Sequence, residues 1–266
     1  MSFAISGKTA IVTGAANGIG LAIGRHFLEK GANVMFADID EKSLQKQLGG
    51  DIEGESARYW AGDLREKLTI ANLLSATIDA FDRVDILVNG ARQVIVSEPL
   101  SGDDDSVMQL LYQNLIPPLR LSQVIAQRMI KQADGRTEGQ VGSIINLSSI
   151  AAQCTHSKLL AYSVSSAALD QMTRSLAVTL APERIRVNAV AFGSVMSASL
   201  LESLKKNADY REDIEQRTPM NRIAAPSELV ETVQYLASEG SSFVTGQILT
   251  VDGGRTLLDP VTAPAH

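Results

Sequence analysis

Seven short apolar runs, at residues 9–13, 33–37, 58–61, 85–89, 143–147, 186–191 and 247–251, alternate with segments long enough to hold crossover helices. This alternation is the strongest constraint on the fold. A strand buried on both faces reads as a continuous apolar run, and parallel neighbours need a long connection, usually helical. The expected class is therefore α/β, a doubly wound parallel sheet with helices on both faces. Residues 66–81 carry Leu68, Ala71, Leu74 and Ile78 at near three-to-four spacing, with Lys67, Asn72 and Asp79 opposite, as in an amphipathic helix. Pro226-Ser227-Glu228 opens another helix, expected to run to about Ala237. Residues 101–105 and 135–139 read as polar loops, and 260–266 as a frayed tail.

Composition narrows the class. With 266 residues, 45% of them apolar, the chain can bury a large core, and no repeat or linker-like break divides it. One domain spanning residues 1–266 is expected. The single cysteine, Cys154, makes no internal disulfide, which fits a reducing cytosol. Three scattered histidines (His26, His156 and His266) form no metal-ligand cluster. A net charge of −6 and no basic run argue against nucleic acid or an anionic membrane as partner. No apolar stretch reaches about 18 residues, and the first residues lack a signal-peptide pattern, so a cytoplasmic location is expected.

The first run leads into Thr13-Gly14-Ala15-Ala16-Asn17-Gly18-Ile19-Gly20, followed by a helix over residues 21–30. Glycines there permit a tight turn and close approach, so a pyrophosphate can sit on free N–H groups at the helix N-terminus. A glycine-rich turn that binds nothing is the alternative. The second run ends at Asp38, 24 residues after Gly14. An acid there can accept hydrogen bonds from the adenosine ribose hydroxyls, which points to NAD. A 2′-phosphate would meet a like charge, at a cost of roughly 1–4 kcal/mol. No Arg or Lys stands at Ala15, Ala16, Asn17 or Ile39 to offset it. Asp38 acting only as a helix cap is the alternative. Asp63-Leu64 follows the third run, where an Asp could meet the adenine amino group.

These motifs, with Leu87-Val88-Asn89-Gly90-Ala91, Asn114, Ser148-Ser149, Tyr162, Arg186-Val187-Asn188-Ala189-Val190 and Val251-Asp252-Gly253-Gly254, resemble the short-chain dehydrogenase/reductase family in order and spacing. The resemblance covers residues 8–254. It implies a Rossmann-like, seven-stranded parallel sheet in the order 3-2-1-4-5-6-7. It also implies an NAD(P)-dependent oxidoreductase acting on a small-molecule alcohol or carbonyl, usually as a homotetramer, with a homodimer the alternative. Carried over by position, Tyr162 is the general acid/base and also touches the cofactor. Ser149, 13 residues earlier, orients the substrate oxygen, and Asn114 holds a relay water. The cofactor-binding set is Gly14, Asn17, Gly18, Ile19, Gly20, Asp38, Asp63, Leu64, Asn89, Tyr162 and the backbone of Val195. Residues 193–220 correspond to a flap over the substrate. Two long helices, 103–131 and 157–180, correspond with the last strand to oligomer surfaces.

One local reading stands apart from the family. Pro118 lies four residues after Asn114 and has no N–H, so it cannot bond the Asn114 carbonyl, and a kink is expected there. Several positions depart from the family, Ser197 in place of a threonine among them. Its Tyr-x-x-x-Lys ends in Ser166, its Asn-Asn-Ala-Gly loop ends in Arg92, and its Pro-Gly pair reads Phe192-Gly193. An unperturbed phenol has a pKa of about 10 and is only ~0.1% ionised at pH 7. Without the lysine, activity is expected to climb into alkaline pH unless another group replaces it. Arg92 either reaches the pocket and supplies part of the missing positive field, or points into solvent, or pairs with an anionic substrate. The leading expectation is NAD-dependent hydride transfer to or from a secondary alcohol or ketone. The second is a nucleotide-binding pseudoenzyme or regulatory subunit.

Overall fold

The computed structural model describes residues 3–49, 55–207 and 209–259; the tail expected at 260–266 lies outside them. The elements alternate in the order β1 (Thr9–Thr13), α1 (Gly18–Glu29), β2 (Asn33–Asp38), α2 (Glu41–Leu48), β3 (Ala57–Ala61), α3 (Lys67–Phe81) and β4 (Ile86–Asn89). The second half adds α4 (Ser106–Asn114), α5 (Ile116–Gln132), β5 (Gly142–Ser149), α6 (Leu160–Leu180), β6 (Ile185–Phe192), α7 (Ala198–Lys206), α8 (Tyr210–Gln216), α9 (Ser227–Ala237) and β7 (Ile248–Val251). The strands form one parallel sheet in the order β3-β2-β1-β4-β5-β6-β7, the Rossmann-like order expected.

Both sheet faces are buried, which is why the central strands read as unbroken apolar runs. Ala10, Val12, Val34 and Val88 pack on one side with Ile23 and Phe27 of α1 and Leu229 and Val233 of α9. Ile11, Met35, Leu87 and Ile144 pack on the other with Leu73 of α3 and Leu121, Ile125 and Met129 of α5. Consecutive β1 residues thus point to opposite layers, as the period of two requires. The chain order reverses between β1 and β4, and in such sheets ligands bind in the crevice beyond the strand C-termini at that reversal.

Two expectations need correction. The buried stripe of α3 is Ile70, Leu73, Thr77 and Phe81, while Leu68 is 73% exposed. Apolar residues cover more than half the circumference of this helix, so spacing admits two stripes, and packing on β2, β3 and α5 selects the second. The segment 103–131 is not one kinked helix. It is α4 and α5, separated at Leu115 (φ −116°, ψ −50°), with Pro117 and Pro118 in the first turn of α5. Prolines at those positions lack the N–H groups that would continue α4, so the predicted kink becomes a break.

Candidate active site

A cleft of about 300 Å³ lies at the β1/β4 reversal, lined by Gly14, Asn17, Gly18, Ile19, Gly20, Asp38, Asp63, Leu64 and Asn89, with Arg92, Phe192 and Ser197 at one end. Gly14 has φ +69°, and a Cβ there would sit 2.8 Å from the Ala91 nitrogen and the Gly90 carbonyl. The turn after β1 therefore rests directly on the turn after β4. Thr13 fastens the two together, its Oγ1 accepting the N–H groups of Gly90 and Ala91 at 3.0 and 3.2 Å. At Gly18 (φ +55°) the nearest atom to a Cβ would be 3.9 Å away, so the glycine opens backbone toward the cleft. Asn17, at the N-cap of α1, makes no side-chain capping bond. The first turn of α1 thus presents N–H groups and the positive end of its dipole, a donor set suited to a pyrophosphate.

Asp38 closes β2 beside this turn. Its Oδ2 accepts the Ala16 N–H at 2.9 Å and its Oδ1 the Asp40 N–H at 3.1 Å. A carboxylate has about four lone-pair sites, so two backbone bonds leave room for a ribose diol. The cap of α2 is supplied by Asp40, which accepts from Ser43 N at 3.0 Å. Asp63 also lines the cleft, but Arg65 grips its carboxylate at 2.5–2.9 Å. The Arg65 hydrogen bond holds that carboxyl below the usual carboxylate range. Sequence reasoning missed this pairing, although an Asp-x-Arg spacing in a loop is a readable hint.

Beyond Arg92 the cleft adjoins a cavity of about 10 Å³, roughly one water molecule, bounded by Asn89, Arg92, Asn114, Tyr162, Ser165 and Ser166 among others. Tyr162 and Ser166 lie one turn apart on α6, and both are buried. Asn114, the last residue of α4, is clamped to the backbone of Gln93. Its Oδ1 accepts the Gln93 N–H at 2.8 Å, and its Nδ2 donates to the Gln93 carbonyl at 2.9 Å. The Gln93 partner was not legible in the sequence. Asn89 is fixed from below, donating to Ser122 Oγ and to Asn146 Oδ1, while Asn146 donates to Thr173 Oγ1.

Arg92 turns into the site rather than toward solvent. Arg92 Nη1 donates to Tyr162 Oη at 2.8 Å and to the Ser148 carbonyl at 3.2 Å. Its guanidinium lies 4.2 Å from the centroid of the Phe192 ring. Ser149 and Val195 border neither the cleft nor the small cavity. Ser149 pairs in register with Phe192 at the end of β5, and its Oγ accepts the Ala151 N–H at 3.1 Å. Val195 is buried in a single parallel bridge to Ala224. His156 is exposed and accepts from its neighbour Lys158.

Asp170, two turns beyond Tyr162, is a buried acid in a sheet-facing position and accepts from Ser148 Oγ at 2.5 Å. Burial pushes its carboxyl above the usual range. An acid raised in the folded state binds more protons there than in the unfolded chain. Its contribution to stability is therefore full below the unfolded pKa and is lost as pH rises through the folded value. Asp170→Asn keeps the acceptor and removes the titration. The variant's Tm relative to the parent should rise between about pH 4 and neutrality; a difference constant with pH would contradict this.

The family model described as enoyl-(acyl carrier protein) reductase matches residues 14–256. The chain belongs to the short-chain dehydrogenase/reductase family. It is 34% identical to a cis-4-hydroxycyclohexanecarboxylate dehydrogenase of Sinomonas cyclohexanicum, over 96% of this chain and 99% of that protein. It is 31% identical to an NAD-dependent glycerol dehydrogenase of Listeria innocua, over 96% of each chain. The solved structure of a short-chain type dehydrogenase/reductase from Mycobacterium marinum superposes with a TM-score of 0.83 at 28% identity, covering 96% of this chain and 97% of that one.

Proposed function

We propose that the protein is an NAD-dependent oxidoreductase interconverting a secondary alcohol and its ketone, with residues 1–266 acting as one nucleotide-binding domain. One observation carries the reading: the glycine-lined cleft shares Asn89, Arg92 and Leu147 with the cavity that holds Tyr162 and Asn114. A nicotinamide dinucleotide, when bound, supplies the two-electron acceptor or donor for the carbinol carbon. The backbone from Gly14 to Gly20 and the α1 N-terminus hold its pyrophosphate, and Asp38 its adenosine ribose. Tyr162 Oη exchanges the proton of the substrate hydroxyl, and Ser149 Oγ hydrogen-bonds the same oxygen. Asn114, held rigid by Gln93, steadies one water that carries the proton onward. Residues 193–220, with α7 and α8, close over the substrate. Met108 and Tyr112 of α4 lie exposed beside Leu160 and Val164 of α6, an apolar face suited to the homotetramer surface common in the family.

Asp38 makes the cofactor choice testable. Charge repulsion of roughly 1–4 kcal/mol against a 2′-phosphate corresponds to about 5- to 1000-fold weaker NADPH than NADH binding. Titration of nucleotide-stripped protein by nicotinamide fluorescence should show that gap, and Asp38→Ser should remove most of it. Equal affinities in the unaltered protein would remove the NAD assignment. Turnover of an alcohol panel with NAD, and not merely binding, then separates the enzyme from a nucleotide-binding pseudoenzyme.

A further inference from the structure

Three of the positions where this chain departs from its family, Arg92, Phe192 and Ser166, gather around the Arg92–Tyr162 contact. Ser166 sits one turn from Tyr162, buried and too short to carry a charge there. Arg92, from the turn after β4, brings a guanidinium to Tyr162 Oη at 2.8 Å. Phe192, at the end of β6, provides the face on which that guanidinium lies, 4.2 Å from the ring centroid. The Ser148 carbonyl takes a second N–H of the same nitrogen at 3.2 Å, and Ser148 is itself tied to Asp170. The arginine is thus fixed by an aromatic face, a main-chain acceptor and the phenol. An outward-pointing, solvated side chain would make none of these contacts. A guanidinium stays charged throughout the pH range of an enzyme and, unlike an ammonium, is only weakly hydrated, so it suits a half-buried site against an aromatic ring.

We propose that Arg92 takes over the electrostatic role of the missing lysine, donating a charge-assisted hydrogen bond to Tyr162 Oη and stabilising its phenolate during turnover. The inference rests on the reading of Tyr162 as the proton carrier. In oxidation the alcohol O–H bond breaks and its proton passes to the phenolate. The carbinol hydrogen would leave with its bonding electron pair, as hydride, to an oxidised dinucleotide when one is bound, as the carbonyl forms, and the phenol then returns its proton to water. Arg92 exchanges no proton and acts through Tyr162, so it is a positioning residue. Replacement is not a like-for-like move. The cation now approaches from the β4 side, in the wall between the cleft and the small cavity, and leaves the Ser166 side uncharged. Phe192 becomes part of the device, because it holds the guanidinium in place.

Other titratable groups on the surrounding segments do not compete for the phenol. On α6, Asp170 is engaged by Ser148, and Arg174 is exposed. Tyr112 on α4, Glu98 on the loop before it, and Cys154, His156 and Lys158 before α6 are all exposed. Among the described residues no carboxylate lies within ion-pair distance of Arg92.

The test compares the parent with Arg92→Gln, Arg92→Lys and the double variant Arg92→Gln/Ser166→Lys in two measurements. The first is ultraviolet titration of the phenolate band of protein without dinucleotide, with Tyr162→Phe subtracted. The second is the pH profile of turnover. An adjacent opposite charge moves a titration by about 1–3 pH units. Arg92→Gln should therefore shift the Tyr162 band to more alkaline pH and lower neutral-pH turnover about 10- to 1000-fold, with recovery at high pH. Arg92→Lys and the double variant should each restore a large part. An unmoved phenolate band in Arg92→Gln would overturn the proposal. So would an unchanged pH profile with a raised KM alone, which would make Arg92 a substrate anchor. Because the band titration needs neither dinucleotide nor substrate, it decides the role of Arg92 even if the parent shows no turnover. Absence of turnover in the parent would count against the enzyme reading instead.

Discussion

Tyr162→Phe should lower kcat by about 100- to 10,000-fold while dinucleotide affinity changes by less than tenfold. The lower and upper figures are the usual contribution of a positioned proton donor or acceptor. Phenylalanine keeps the ring that packs against Leu110, Ala151 and Ala161 and removes only the oxygen that Arg92 contacts. The structural penalty is therefore confined to one charge-assisted hydrogen bond, about 1.5–3 kcal/mol, and the fold should survive. A loss of binding equal to the loss of kcat would show that the hydroxyl serves the dinucleotide rather than the proton. A kcat within threefold of the parent would remove Tyr162 from the chemistry altogether. Steady-state kinetics and a binding titration on the same preparation separate these outcomes.

Gly14→Val should abolish measurable dinucleotide binding and destabilise the protein by about 2–6 kcal/mol. Two costs combine. A β-branched residue at φ +69° is strained by about 1–3 kcal/mol, and its Cβ would lie 2.8 Å from backbone atoms of Gly90 and Ala91. Those atoms belong to the turn that Thr13 holds, so relief means separating the β1 and β4 turns, an overpacking cost of about 1–3 kcal/mol. The sum is a large part of the 5–15 kcal/mol that usually stabilises a domain. Gly135 is the control. It too has positive φ (+79°), but a Cβ there would meet nothing within 4 Å. Gly135→Ala should cost only about 1–2 kcal/mol and leave binding intact. Denaturant unfolding with a dinucleotide titration checks both; equal destabilisation at the two sites would show that the close approach to β4 carries no weight.

The sheet was legible because its strands are buried on both faces. Runs such as Ala10-Ile11-Val12 and Ile144-Ile145 are apolar at consecutive positions, and their short length between turn signals separates them from helical segments. Strand ends were read one or two residues short where polar residues remain paired, as at Ser148 and Ser149, which extend β5 against β6. The error in α3 has the opposite origin. Leu68 and Leu73 are equally apolar, and only the neighbouring helix and strands decide which is covered.

The site divides the same way. The glycine turn and Asp38 were readable because their chemistry is local: a turn, a strand end and a helix start in one short segment. The Arg92–Tyr162–Phe192 contact joins the loop after β4, the first turn of α6 and the end of β6, and the direction of a loop arginine is not encoded in its neighbours. What the sequence did offer was the coincidence of one cation lost and one gained. The clamp of Asn114 on Gln93 gave no signal, since any residue but proline at 93 presents the same backbone groups.

The most direct test of hydride transfer at this site follows deuterium from nicotinamide-deuterated NADH into a panel of cyclic and open-chain ketones, with Tyr162→Phe run alongside. The account predicts deuterium on the carbinol carbon of at least one product, formed by the parent and suppressed at least 100-fold in the variant. NADH bound tightly, with no label transferred above the variant's level to any ketone, would contradict it and leave a nucleotide-binding protein without turnover.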